Sequence, residues 1–377
     1  MYISRFNRCK EQSMKHINIL LKIFFVTILL LTSCTGGNPV DSSPDIGSWQ
    51  LVGAGLPEGA GLSGLAFNSN DDIFAGFDWI GSGCDQCGGV YRSTDSGDSW
   101  NRLDWGYRQV NPYVEALAVN SKNELFVYGG GLRRTSNSGN TWTMLDVPYD
   151  PPGPYGGDPI HQLAINTNDH IFAIRLNRGR VYRSTDNGTT WVLTKLGGAY
   201  SIAINSKNEL FAATDDGVVL HSTNNGASRT ERRVVNDNVD FPHPKVVINS
   251  NDDIFVFVGT YSSSHSSLNM FLSFDNGKNW NKAPLSGLFT PVTAIAFNKN
   301  NDIFVGSTTG EIGTEEVNYS SVYRSNNNGL SWVNTGLTIH AGWFSSLAFD
   351  SKGNLFAGTN GNFDISRVFM LPAAIAN

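Results

Sequence analysis

The chain has 377 residues, of which 40% are hydrophobic and only 16% are charged. Such a chain can bury a substantial core, either as two ordinary domains or as one large repeat architecture. Its formal net charge is −6 and its Lys and Arg residues form no run, which excludes nucleic acid as an expected partner because phosphate binding needs a basic face.

The first 33 residues have the organisation of a secretory signal. Lysines precede an apolar stretch at 23–31 (IFFVTILLL), which is too short to span a bilayer, since a membrane helix needs about twenty residues. The LTSC that follows at 31–34 resembles the bacterial lipobox, in which signal peptidase cuts before a cysteine that has received a diacylglycerol. The resemblance implies a signal peptide over 1–33, a lipidated Cys34, a linker over 34–47 and the lipid bilayer as a partner. A plain secretory signal or an uncleaved anchor is the alternative.

The residue after this cysteine bears on the location. Thr35, not Asp, stands there, which by analogy with enteric lipoproteins favours the outer membrane of a bacterial cell envelope. The side of that membrane stays open, as does translation from Met1 or from Met14.

Two cysteines fall in the predicted mature fold. Cys84 and Cys87 stand in GSGCDQCGG, and outside the cytoplasm they are expected to close a small disulfide loop. A zinc site would need two further ligands, and haem attachment would need a histidine where Gly88 stands. A redox pair would be expected to open a helix, and none is visible. We therefore predict no metal and no cofactor.

One phrase recurs along the chain: an apolar run, a polar turn and a second apolar run. Each copy predicts a β-hairpin whose first strand is buried on both faces. A third strand follows, and a fourth begins near a tryptophan, so four strands in about 45 residues match one blade of a β-propeller. The seven copies are anchored at Asn68, Asn120, Asn166, Asn205, Asn249, Asn298 and Asp350.

A second motif, Ser-x-Asp-x-Gly-x-x-Trp, joins the predicted third and fourth strands. Asn replaces Asp in some copies, one copy is degenerate (Ser222 to Arg229), and a shortened copy at 43–49 precedes the first hairpin. The full copies contain Ser93, Asp95, Gly97 and Trp100; Asn137, Gly139 and Trp142; Asp186, Gly188 and Trp191; Asp275, Gly277 and Trp280; and Asn327, Gly329 and Trp332.

This motif resembles the Asp-box, or BNR, repeat of sialidases, sortilin-like receptors, xyloglucan-active hydrolases and photosystem II assembly factors. The resemblance covers the whole predicted mature chain and implies an all-β fold. We predict a single seven-bladed β-propeller over 48–377, with four antiparallel strands per blade and the last blade closed by the N-terminal strand. The short polar side chains are expected to accept hydrogen bonds within the turn, so the motif is predicted to be structural.

A binding site is predicted on the opposite face of the propeller, where the loops between second and third strands and between blades converge. These loops are rich in aromatic residues, which suit sugar rings or extended peptides. The alternative is that the aromatic side chains pack their own loops. The candidates are Trp79, Trp105, Tyr107, Tyr149, Tyr155, Tyr261 and Trp343.

The predicted function is recognition without catalysis: a protein or a glycan binds to this face, and no catalytic residue is assigned. The alternative is a glycoside hydrolase with two paired loop carboxylates. A hydrolase should lose activity when one carboxylate becomes its amide, whereas a binder should suffer from Trp79→Ala or Trp105→Ala. The loop carboxylates are Asp78, Asp85, Asp104, Asp150, Asp158, Asp240, Glu311, Glu315 and Glu316.

Overall fold

The computed structural model describes residues 48–376 apart from several short segments. These segments are 58–59, 80–87, 107–112, 149–157, 235–243, 263–264, 284, 286–287, 289–290, 309–318, 341 and 362–366. Within strands, the side chains of 79, 259–262 and 265–268 also lie outside the described part.

Seven sheets of four antiparallel strands form the blades, which confirms the predicted all-β, seven-bladed propeller. Strand β1 (Gln50–Val52) precedes blade 1, which comprises β2 (Ala60–Phe67), β3 (Ile73–Trp79), β4 (Gly89–Ser93) and β5 (Asn101–Arg102). Blade 2 comprises β6 (Ala116–Val119), β7 (Leu125–Tyr128), β8 (Leu132–Thr135) and β9 (Thr143–Leu145). Blade 3 comprises β10 (Ile160–Ile165), β11 (Ile171–Arg175), β12 (Arg180–Ser184) and β13 (Val192–Leu193). Blade 4 comprises β14 (Ala199–Ile204), β15 (Leu210–Thr214), β16 (Val218–Ser222) and β17 (Thr230–Arg233).

The remaining blades follow the same order. Blade 5 comprises β18 (Lys245–Ile248), β19 (Ile254–Ser262), β20 (His265–Ser273) and β21 (Asn281–Ala283). Blade 6 comprises β22 (Val292–Phe297), β23 (Ile303–Thr308), β24 (Tyr319–Ser325) and β25 (Val333–His340). Blade 7 comprises β26 (Gly342–Phe349), β27 (Leu355–Gly361) and β28 (Val368–Leu371), and a short helix α1 (Ala373–Ala376) follows it.

The core lies between the blades. In every blade the second strand begins with Ile or Leu followed by a phenylalanine that is fully buried, and burial of such a ring contributes about 1.5–3 kcal/mol. The repeated apolar pair of the sequence is therefore the main packing unit of the ring. The seven rings are Phe74, Phe126, Phe172, Phe211, Phe255, Phe304 and Phe356.

The ring closes as the sequence predicts. Strand β1 pairs with β28 through Gln50↔Met370, Leu51↔Phe369 and Val52↔Val368 and so supplies the outer strand of blade 7. Trp49, just before β1, is 2% exposed, and its indole nitrogen donates to the Thr335 hydroxyl of blade 6 at 3.2 Å. Closure removes the open edge that blade 7 would otherwise present.

The two faces of the propeller differ in what they carry. The turns between first and second strands and the Ser-x-Asp-x-Gly-x-x-Trp turns share one face, which we call the turn face. The opposite face, which carries the loops between second and third strands and between blades, is the loop face. The first strand of each blade lies nearest the central channel, and we call it the innermost strand. Each innermost strand therefore runs from the loop face towards the turn face.

A belt of hydrogen bonds joins neighbouring blades at the turn face. In six blades an Asn or Asp with positive φ sits in the first turn, and its side chain accepts the main-chain N–H of the preceding blade's turn. In blade 7 this position is Gly353, which has no side chain to contribute. The bonds are Ser69 to Asn123, Ser121 to Asp169, Thr167 to Asn208, Ser206 to Asp252, Ser250 to Asn301 and Ser351 to Asp71.

Helix α1 fills the place that a motif turn occupies in other blades. In blades 2, 3 and 4 the anchor asparagine bonds to the motif turn of the next blade, as Asn120 does to Asn187 at 3.4 Å. In blade 7 the third and fourth strands, β28 and β1, are not consecutive in the chain, and the anchor Asn298 of blade 6 donates to the Ala376 carbonyl at 2.9 Å. The helix thus completes the blade 6–blade 7 contact.

Candidate functional site in the central channel

A cavity of about 370 Å³ lies in the central channel, between the innermost strands of blades 3 to 7. The same positions of each strand line it, near the start of the strand, so the cavity occupies the half of the channel nearer the loop face. Its polar lining residues are His161, Gln162, Tyr200, Ser201, Lys245, Thr293, Ser345 and Ser346.

Irregularities in the innermost strands set which side chains line this cavity. The pairing register shifts around His161 in β10, Tyr200 in β14, Thr293 in β22 and Ser345 in β26. Each is a β-bulge, in which one extra residue leaves the ladder and changes the direction of its side chain. The bulged residues belong to the cavity wall, so the backbone irregularity and the cavity coincide.

In β10, β14 and β26 the residue after the bulge joins two blades. Gln162 donates to the Ile202 carbonyl at 3.1 Å and accepts from the Ile202 N–H at 3.0 Å. Ser201 accepts from the Val246 N–H at 2.8 Å, and Ser346 accepts from the Leu65 N–H at 3.2 Å. These side chains hold the innermost strands in register around the channel.

Lys245 holds the equivalent position in β18. Its ammonium donates to the Thr293 carbonyl of blade 6 and therefore also bridges two blades. Desolvation in the channel wall lowers the pKa of this ammonium to about 8.

A pair of ionisable groups, Glu115 and Asp78, lies where blades 1 and 2 meet. Glu115, just before β6, places one carboxylate oxygen in a buried position with no hydrogen-bond partner in the described part of the chain. Burial raises the pKa of the Glu115 carboxyl to about 7, and the negative charge of Asp78 in β3 acts in the same direction. Asp78 is one of the predicted loop carboxylates, whereas Glu115 is not among them.

The structure corrects the position of Trp105. Its side chain is 1% exposed and packs with Phe74, Val114 and Leu125 in the core between blades 1 and 2. The Arg133 guanidinium lies 5.2 Å from its ring centroid. The prediction that Trp105 offers an exposed platform on the loop face is therefore wrong.

Three other candidate residues, which were predicted to lie in loops, belong to strands. Trp343 lies in β26, because β25 runs to His340 and only residue 341 separates the two strands. The side chain of Trp343 is partly buried. Tyr261 belongs to β19 and pairs with Ser266 of β20, and Trp79 ends β3 opposite Ala60. The side chains of Trp79 and Tyr261 lie outside the described part, as do Tyr107, Tyr149, Tyr155, Cys34, Cys84 and Cys87 entirely. Their predicted roles stay predictions.

The Ser-x-Asp-x-Gly-x-x-Trp turns use their polar groups internally. In the first copy the Ser93 hydroxyl accepts from the Gly97 N–H at 2.9 Å, and Trp100 donates to the Gly97 carbonyl at 2.9 Å. Hydrogen bonds from Thr190, first from its hydroxyl, hold the pKa of Asp186 at about 2. A carboxylate so stabilised in its charged form cannot act as a general acid near neutral pH.

The arginine of the repeated Tyr-Arg-Ser segment is also engaged in structural contacts. The Arg92 guanidinium lies 2.7 Å from the Asp72 carboxylate, and Arg324 pairs with Asp302 in the same way. Arg183 donates to the Asn225 carbonyl at 3.0 Å. These arginines thus attach the third strand to nearby turns, and they do not form a cluster for a substrate carboxylate.

Two absences hold for the residues that the structure describes. No group of three or more His, Cys, Asp or Glu side chains there could hold a metal ion. No described helix is long and apolar enough to cross a membrane.

The family model described as the DUF6242 beta propeller domain matches residues 99–365, which is more than half of the chain. The chain belongs to this family. No match was found among curated protein sequences.

Several solved structures share the fold of this DUF6242 propeller. YCF48 bound to D1 peptide has a TM-score of 0.59 at 14% identity, over 87% of this chain and 98% of that one. A catalytically inactive virginiamycin B lyase from Staphylococcus aureus with quinupristin has a TM-score of 0.60 at 14% identity, over 85% and 98%. The GH74 enzyme of Niastella koreensis has a TM-score of 0.61 at 20% identity, over 83% of this chain and 53% of that one. At such identities the likeness establishes the fold alone.

Proposed function

We propose that the chain is a recognition module of a bacterial cell envelope. The loop face of the propeller binds a protein or a glycan, and the central cavity forms the middle of the binding site. The observation that carries this proposal is the cavity itself, whose wall combines side chains from five blades. A concave site near the lower end of the usual size range of ligand pockets, about 300–1,000 Å³, with a few polar groups, is typical of ligand binding.

The finer features of the proposal concern the anchor and the family. Cys34 carries the lipid and attaches the protein to the outer membrane, and the recurring turn motif makes the propeller an Asp-box repeat protein. The lysines, the apolar stretch and the LTSC segment that follow one another in residues 1–34 support the lipid anchor. The hydrogen bonds within the motif turns support the Asp-box assignment. YCF48, a propeller of similar fold, has been solved with a bound D1 peptide, which supports a polypeptide ligand by analogy.

The test is affinity capture from detergent-solubilised native envelopes, followed by quantitative mass spectrometry and glycan analysis. Ala294→Trp fills the channel from its wall and should abolish capture of the specific partner. Val192→Trp is the matched control, because Val192 lies on the outer strand β13 and is 58% exposed. Equal capture by both variants, or no specific partner with the unchanged protein, would contradict recognition at the channel.

A glycoside hydrolase is the second candidate, and Glu115 with Asp78 is the observation that favours it. One carboxyl with a pKa near 7 beside a second carboxylate is the arrangement that a general acid and its partner require. Under this alternative, Glu115→Gln would lower polysaccharide hydrolysis about 100-fold or more. The recognition function instead predicts that the unchanged protein does not hydrolyse polysaccharide, and that Glu115→Gln captures the partner as well as the unchanged protein does.

A further inference from the structure

The cavity wall contains one residue whose chemistry the binding function does not yet explain. Lys245 is the only Lys, Arg, Asp or Glu among the described residues that line the cavity. Of the other polar lining residues, only His161 and Tyr200 have titratable side chains. A single cation in an otherwise uncharged wall favours an anionic ligand over a cationic one.

Within the described part of the chain, the positive charge of Lys245 has no neutralising partner. Among the described residues no carboxylate forms an ion pair with its ammonium, and desolvation lowers the pKa of this group. Its hydrogen bond to the Thr293 carbonyl offsets only part of the cost of removing the charge from water. An anion that enters the channel would supply the missing charge.

Two hydroxyl groups of the same wall are available as donors. Ser201 and Ser346 each use the hydroxyl oxygen to accept a main-chain N–H from the next blade. The described part of the chain provides no acceptor for either O–H. Since a hydroxyl can donate and accept at once, both can still donate to a ligand in the cavity.

We propose that the channel cavity binds the carboxylate of a small acidic ligand or chain end, with Lys245 as its counter-ion and Ser201 and Ser346 as hydrogen-bond donors. One ammonium matches the single charge of a carboxylate, whereas a phosphate dianion would leave a second charge uncompensated in the wall. The cavity volume of about 370 Å³ limits the bound portion to a small group. The inference rests on the proposed recognition function and specifies its ligand.

This arrangement makes binding depend on pH. A carboxylate pairs with the protonated amine, whose pKa in the empty channel is about 8, so affinity should fall about tenfold between pH 7 and pH 9. Other groups face the channel: β10 contributes His161 and β14 contributes Tyr200, while β22 and β26 contribute only uncharged residues. Burial, with the negative charge of Asp215, raises the pKa of Tyr200, which therefore stays neutral over this range.

The experiment is calorimetric titration of the purified full-length protein with matched acids and neutral analogues. A hexuronate is compared with its hexose, and an N-acetyl amino acid with its amide, so the two pairs distinguish a glycan end from a peptide end. At least one acid should bind about tenfold or more tightly than its neutral analogue. Equal affinity within both pairs would overturn the proposal, as would no binding at about 10 mM, where even a millimolar ligand nears saturation.

Variants separate the charge of Lys245 from its structural bond. Lys245→Gln keeps a donor for the Thr293 carbonyl, as Gln162 bonds to the next blade from the equivalent position of β10, but removes the charge. The variant should keep the melting temperature of the unchanged protein, and its affinity for the acidic ligand should be about 10- to 100-fold lower. Lys122→Gln is the control, because the Lys122 side chain is 68% exposed on the turn face.

The outcomes also separate this inference from the function on which it rests. If Lys245→Gln binds the acid as well as the unchanged protein does, the carboxylate assignment is overturned. If neutral ligands bind and Ala294→Trp blocks them, recognition at the channel stands while its charge selectivity fails. If affinity does not change between pH 7 and pH 9, Lys245 is not the counter-ion.

Discussion

Replacement of Trp49 by alanine is expected to lower the free energy of unfolding by about 3–5 kcal/mol, the usual cost of removing a buried tryptophan. Trp49 is 2% exposed and packs in a core cluster with Leu337 of blade 6 and Phe369 of blade 7. It also holds the start of β1, the strand that closes the ring. Its loss therefore removes packing and loosens the outer strand of blade 7 together.

Denaturant unfolding of Trp49→Ala beside Leu51→Ala provides the measurement and its control. Leu51 lies in the same strand but is 55% exposed, so its truncation should cost well under about 1 kcal/mol. We also expect Trp49→Ala to associate at high concentration, because a loosened β1 exposes the edge of β28. Similar unfolding free energies for the two variants would show that the N-terminal strand does not hold the ring closed.

Replacement of Glu115 by glutamine is expected to stabilise the fold at pH 8 by about 2–3 kcal/mol. The pKa of this carboxyl is raised from 4.5 in the unfolded chain to about 7 in the fold, so between these values the folded state binds more protons than the unfolded state. The contribution of the neutral carboxyl is present below pH 4.5 and is lost as the pH rises through 7. The amide removes that loss, because it cannot ionise.

The measurement is the unfolding free energy of both proteins at pH 5 and at pH 8. The two should differ little at pH 5, and the variant should be the more stable at pH 8. Asp104→Asn is the control, since it makes the same exchange at an exposed position and should change the unfolding free energy by less than about 0.5 kcal/mol. A Glu115→Gln variant that is less stable than the unchanged protein at pH 8 would show that the carboxylate is stabilised in its charged form.

The architecture could be predicted from the sequence because it repeats. Each hairpin alone is an ambiguous apolar run, but seven copies with the same anchor and the same turn motif leave one fold that accommodates them. The shortened motif before β1 also predicted the closure of blade 7, which the pairing of Leu51 with Phe369 confirms. Repetition thus determined strand order, blade count and closure together.

The site was harder to predict because it depends on where strands end and on bulges. The sequence placed Trp105 in a loop, but β5 ends at Arg102 and the chain continues along the core, with the Leu103 N–H bonded to the Val90 carbonyl. Trp105 is therefore buried. The length and polarity of the segment after β5 do not by themselves show whether it continues along the core or forms a loop.

The charged residues of the innermost strands carry a further signal in the sequence. Aligned on the seven anchors, Lys245 and Glu115 stand out, because most residues at their positions are small or neutral. The alignment does not show which way they point. An extra residue at a bulge reverses the alternation of side chains along a strand, so the channel-facing set could be assigned only from the structure.

The central claim is that a ligand occupies the channel at the loop face. Photocrosslinking in native envelopes tests it most directly, with benzoylphenylalanine in place of Tyr200 at the cavity or of Val192 on the outer strand β13. The recognition function predicts a specific adduct from position 200 and none from position 192. Adducts from position 192 alone, or equal adducts from both positions, would contradict it.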